Sequence, residues 1–138
     1  MNFIIARIFA VLMTIVALLS GGKVEKIQLK VSNNVTSSES KIEYVIENYS
    51  GEKIGIDKAF TLEKKIDGQW TVDWLKGESP TFEFNEIAIV IMPFSSYRGV
   101  IDLSLQGYHL EAGTYRLTKS WSSFNSFGSI SVSFEVKE

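Results

Sequence analysis

Leu110-Glu111-Ala112-Gly113-Thr114-Tyr115-Arg116-Leu117-Thr118-Lys119 carries the most structural information in this chain. Gly113 is free to take a turn conformation that a side chain would oppose, and Tyr115 and Leu117 then alternate with Thr114, Arg116 and Thr118. A spacing of two puts alternate side chains on opposite faces of a strand. The segment therefore predicts a turn leading directly into a strand with one apolar face.

The same period extends in both directions. Upstream, Ile27, Leu29 and Val31 alternate, followed by Ile42, Tyr44 and Ile46. After the polar turn Asn48-Tyr49-Ser50-Gly51 come Phe60, Leu62 and Ile66, and Asp67-Gly68 then reverses the chain into Trp70, Val72 and Trp74, as in a hairpin. Further strands are expected from Phe82 and Phe84 through Ile87, Ile89 and Ile91, and from Tyr97 with Ile101 and Leu103. Downstream of Leu117 lies Ile130 with Val132, Phe134 and Val136. Seven or eight short strands result, with no period of 3.6 after residue 23, so the expected fold is all-β. An antiparallel sandwich hides the apolar face of each sheet against the other, with a closed barrel as the structural alternative.

The turn and strand around Gly113 and Tyr115 resemble the tyrosine corner of immunoglobulin-like sandwiches, in which the Tyr hydroxyl bonds back to upstream backbone. A Cys commonly follows that Tyr by two residues, and here Leu117 occupies the place. Glu47-Asn48, Phe60 to Lys65, Asp67-Gly68-Gln69-Trp70, Asp102-Leu103-Ser104 and Leu110 to Lys119 together resemble, in that order, a bacterial Ig-like domain family of Gram-positive exported proteins and lipoproteins. The resemblance covers about residues 40–120. It implies a non-enzymatic accessory module of the surface or envelope, with no catalytic set to carry over. Two departures stand out: Ile56 lies near a position where the family usually has Gly, and Pro93-Phe94 replaces a Pro-Gly turn.

The N-terminus bears on location. An apolar run from Ile8 to Leu19 follows Arg7 and closes on Ser20-Gly21-Gly22. This order of charge, apolar core and small residues is that of an export signal, and Arg7 leaves too few apolar residues for a comfortable span. Residues 1–22 are thus expected to be a signal helix, cleaved or kept as an N-terminal membrane anchor, and residues 23–138 one Ig-like sandwich domain. The end of this segment also resembles a lipobox, but Gly22 stands where the lipid-bearing Cys would be. The expected location is extracellular or at the cell envelope, with membrane contact only through the N-terminal segment if it stays uncleaved.

Composition narrows function mainly by exclusion. The chain of 138 residues has no cysteine, which removes disulfides, thiol nucleophiles and cysteine zinc sites. Net charge is −2 with neither sign gathered into a block, so nucleic acid is not an expected partner. His109 is the sole histidine and no Gly-x-Ser-x-Gly elbow accompanies any serine. Asp57, Asp67, Asp73 and Glu78 fall near expected turns without calcium-loop spacing. No catalytic, cofactor or metal residue is nominated.

Trp121-Ser122-Ser123-Phe124-Asn125-Ser126-Phe127-Gly128 is the candidate binding loop. Aromatics separated by small polar residues suit recognition loops, so Trp121, Phe124, Asn125 and Phe127 are the candidate contacts for a protein or carbohydrate at the cell surface. The bland alternative has Trp121 closing the core and both phenylalanines tucked beneath the loop. Trp70, Gly113 and Tyr115 are read as structural, with Trp70 and Trp74 expected in the core. Glu63-Lys64-Lys65 reads as a solvated edge, although alternation puts Lys64 on the face of Leu62 and Ile66 and so requires it to snorkel. Two other functions remain open: a secreted inhibitor of a protease or other hydrolase acting through the exposed loop, and a small hydrolase using dispersed carboxylates.

Overall fold

The computed structural model describes residues 26–32, 35–75, 78–82 and 88–138. The expected signal helix, residue 22 and the stretch from Phe84 to Ile87 lie outside them.

Among the described residues nine strands follow in chain order: β1 (Ile27–Val31), β2 (Lys41–Asn48), β3 (Ile54–Ile56), β4 (Thr61–Ile66), β5 (Gln69–Thr71), β6 (Ile89–Ile91), β7 (Ser95–Asp102), β8 (Gly113–Ser122) and β9 (Phe127–Val136). Among the described residues the only helical element is a single 3-10 turn over Ser104–Gln106. All pairings between these strands are antiparallel. One sheet has the order β1-β2-β7; the other runs β5-β4-β8-β3-β6, with β9 along the opposite side of β8. On the shared side of β8, β4 pairs with Tyr115 to Thr118 and β3 with Trp121 and Ser122.

The two-sheet sandwich agrees with the period-two pattern, and the inward positions form one core. Ile27, Leu29, Ile42, Tyr44 and Ile46 from one sheet meet Ile54, Ile56, Leu62, Tyr115 and Leu117 from the other. The hairpin at Asp67-Gly68 uses left-handed backbone at both central residues, with φ of +52° and +79°. This is the geometry that matches the twist of paired strands. At Pro93-Phe94 a reversing turn persists without glycine: Ser95 N–H donates to the Met92 carbonyl at 3.2 Å, and Phe94 takes φ +55°.

Three local expectations need correction. β3 falls where no strand was expected, because Ile54-Gly55-Ile56 is too short to show a period. The strand expected over Trp70 to Trp74 ends at Thr71, so the two tryptophans do not share a face. Trp74 is the core tryptophan, donating from Nε1 to the Leu62 carbonyl at 2.8 Å and meeting Tyr115 edge-on at 5.8 Å. Trp70 sits half-buried on β5, with the Arg116 guanidinium 4.7 Å from its ring centre.

Tyr115 is fully buried and its hydroxyl donates to the Glu111 carbonyl at 2.8 Å, the back-bond of a tyrosine corner. Its ring stacks on Phe134 at 6.0 Å. Lys64 reaches out across this ring to Glu111 at 3.6 Å, so the lysine does snorkel from an inward position. Gly113 leaves room for it: a Cβ there would lie 3.0 Å from Lys64 Cε.

Candidate binding surface

The β8–β9 connection is a tight turn closed by its own serines. Ser123 N–H donates to the Ser126 carbonyl at 2.7 Å, and Ser126 N–H donates to Ser123 Oγ at 3.2 Å. Four residues held in this way have little freedom to collapse onto the sheet, and Phe124 projects from them 98 % exposed. Phe127, at the start of β9, is 86 % exposed. Neither ring tucks beneath the loop. Full exposure forgoes roughly 1.5–3 kcal/mol of burial per phenylalanine, a cost that both rings of this short connection carry in the free protein.

Asn125 anchors the turn to a second loop by donating from Nδ2 to Glu52 Oε1 at 3.0 Å. That second loop joins β2 to β3 and is organised by Asn48, a 1 % exposed side chain. Asn48 Nδ2 donates to the carbonyls of Glu52 at 2.8 Å and of Ile91 and Met92, each at 3.2 Å. Its Oδ1 accepts from Ser50 N–H at 3.0 Å and Ser50 Oγ at 2.6 Å. One buried amide thus fixes the Glu52 loop to β6, and Glu52 in turn meets the Phe124 turn.

A cleft opens on each side of the Glu52–Asn125 bridge. The first, about 470 Å³, has Gly55 on its floor with Ile54, Val90 and Phe124 on its walls, and its lining is mostly apolar. Strand register explains the shape. Gly55 pairs with Val90 on one side and Ser122 on the other, and Ser122 pairs with Phe127. These four outward positions form a row across four strands, and the missing side chain at Gly55 makes its trough. The second cleft, about 330 Å³, is more polar and is lined by Trp121, Ser126, Ser50 and Gly51. Trp121 is half-buried against the core, its indole lying across Gly128, where a Cβ would be 3.0 Å away.

All four candidate contacts therefore gather at one end of the sandwich, around Asn125. Trp70 lies elsewhere, on β5, beside Arg116, which holds Glu63 through two 2.9 Å hydrogen bonds.

A model of the bacterial Ig-like domain family matches residues 23–135. The chain belongs to this family. Among proteins of curated function, none matches it. The Ig-like domain has its Tyr115 corner and inter-sheet core without any cysteine.

Sequence reasoning missed the three buried polar groups found among the described residues of this Ig-like domain, Ser40, Asn48 and Lys119. Lys119 had a visible signal: it shares parity with Tyr115 and Leu117, which puts it inside. It is 1 % exposed, donates from Nζ to the Asp57 carbonyl at 2.8 Å and lies 5.3 Å from the Tyr44 ring centre. Burial pushes its pKa down to about 8, with Asp57 opposing. Tyr44 and Tyr115 are both pushed up to about 12, chiefly by burial. The Glu52–Asn125 contact joins loops 73 positions apart, and no local sequence signal encodes it.

Proposed function

We propose that this Ig-like domain is a non-enzymatic binding module of the bacterial envelope, exported by its N-terminal segment, that engages a protein partner through the β8–β9 turn. The observation carrying this reading is the pair of exposed rings, Phe124 and Phe127, on a turn held rigid by its serines and bridged to Glu52. A rigid turn loses little entropy on binding, and an aromatic anchor beside an apolar trough is the form that binding hot spots take. A protein surface suits this site better than a sugar. Phenylalanine offers no hydrogen-bonding group, and the nearest amide and carboxylate, Asn125 and Glu52, already bond each other.

The test is site-specific photo-crosslinking of the full chain on living bacteria. A photoreactive residue at Phe124 is expected to yield a discrete protein adduct, whereas the same residue at Leu105, which is 84 % exposed on another part of the surface, yields none. Equal labelling from both positions, or adducts to glycan only, would sink the proposal. A secreted hydrolase inhibitor is a special case, recognised if the captured protein is a hydrolase whose activity the domain blocks.

A further inference from the structure

Eight large apolar side chains stand exposed among the described residues, and they are not spread evenly. Phe124, Phe127, Val90 and Met92 gather at one end of the sandwich, around the Glu52–Asn125 bridge. Ile66, Val72, Val100 and Leu105 lie apart from it. The described chain enters at the same end. Lys26 lines the polar cleft together with Asn125 and Ser126, and its carbonyl accepts from Tyr49 N–H at 2.7 Å, beside the loop that carries Glu52. Other elements lead away from this end. β9 runs from the turn to Lys137, whose N–H donates to the Val35 carbonyl at 3.0 Å. β7 runs from Ser95, opposite Asn48, to Asp102, opposite Lys41, so Leu105 lies at the far end. Upstream of Lys26, only the seven residues Ser20-Gly21-Gly22-Lys23-Val24-Glu25-Lys26 follow the apolar run that ends at Leu19. Seven residues reach about 25 Å at full extension and about 15 Å on average as a flexible linker.

We infer that residues 1–22 stay in the membrane and hold this end of the sandwich toward it, and that the partner of the β8–β9 turn is a protein embedded in that same membrane. Such a partner presupposes protein binding by the turn, the function proposed above. The short connection keeps Phe124 and Phe127 near the bilayer surface and turns Leu105 away from it. A partner reaching the turn there is one that itself sits in the bilayer and projects little from it. A protein also suits this end better than the lipid surface. The floor of the apolar cleft at Gly55 lies between walls that include Val90 and Phe124, a concavity that takes up a projecting side chain and that a flat fluid surface does not fill. Glu52, an exposed carboxylate, stands at the centre of the cluster. Sinking both rings into acyl chains would draw that charge out of water at a cost, whereas a protein surface can leave it wet at the rim.

The test uses the full chain in living bacteria, with a photoreactive residue at Phe124 and the recognition site of a sequence-specific protease inserted between Gly22 and Lys23. After irradiation the membranes are isolated and the domain is cut from its N-terminal segment. Uncrosslinked domain is expected to leave the membrane on cutting. The Phe124 adduct is expected to remain through an alkaline wash, held by the partner's own membrane segments, and the same photoreactive residue at Leu105 should leave no retained adduct. The intact mass of the wild-type chain in the membrane fraction should include residues 1–22. A Phe124 adduct with a protein that washes free after cutting, or a wild-type chain lacking residues 1–22, overturns the membrane placement and leaves protein binding by the turn standing. Adducts to lipid alone, or no protein adduct from Phe124, overturn both.

Discussion

Lys119 makes stability depend on pH in a direction opposite to that of a paired surface lysine. Its ammonium lies in the inter-sheet core with one hydrogen bond, to the Asp57 carbonyl, and with the face of Tyr44 beside it. Burial lowers its pKa from 10.5 to about 8, at about 1.4 kcal/mol per pH unit of difference. Folding therefore carries a penalty of about 3 kcal/mol below pH 8, where both states are charged. Between pH 8 and 10.5 the unfolded chain holds the proton that the folded chain has released, so the unfolding free energy rises with pH. The linkage relation gives a gain of about 2 kcal/mol between pH 7 and 9.5. Tyr44 and Tyr115 act in the opposite sense above pH 10, because the unfolded phenols ionise there while the folded ones stay neutral to about 12. Urea unfolding followed by tryptophan fluorescence at pH 7, 8.5 and 9.5 measures the slope. Lys119→Met should be more stable than wild type by about 1–3 kcal/mol at pH 7, with the rise abolished. A wild type whose stability is flat from pH 7 to 9.5, or a variant with the same rise, would refute the reasoning.

Three further outcomes follow from the packing and can be checked by the same unfolding assay. Gly99→Ala places a Cβ within 2.6 Å of three Tyr44 atoms, and the forced shift should cost about 2–3 kcal/mol. Tyr115→Phe removes only the hydroxyl bonded to the Glu111 carbonyl and should cost about 1–1.5 kcal/mol, with the denaturant slope unchanged. Asn48→Ala strips partners from the carbonyls of Ile91, Met92 and Glu52 and should cost about 2–4 kcal/mol. It should also speed amide exchange in the loop that supports Asn125.

Period-two alternation made β1, β2, β7, β8 and β9 legible, because each has one buried and one wetter face along five or more residues. It failed at β3, which is three residues long, and at Trp70 to Trp74, where the chain leaves the sheet after Thr71 and brings only Trp74 into the core. The corner at Tyr115 was readable because a local turn and a single hydroxyl define it. Phe124 and Phe127 stood out by composition, but their full exposure depends on the serine bonds closing the turn. The trough beside them arises from register: Val90, Gly55, Ser122 and Phe127 come from four strands and align only once β3, β6, β8 and β9 have paired.

The binding role of the β8–β9 turn is tested most directly by titrating labelled domain onto cells of the bacterium that makes it and measuring saturable binding. Wild type and Leu105→Ala should bind alike, while Phe124→Ala with Phe127→Ala should weaken binding about tenfold or more, the loss of about 1.4 kcal/mol or more that hot-spot residues supply. Equal affinity for all three proteins, each confirmed folded, would contradict the assignment of this surface.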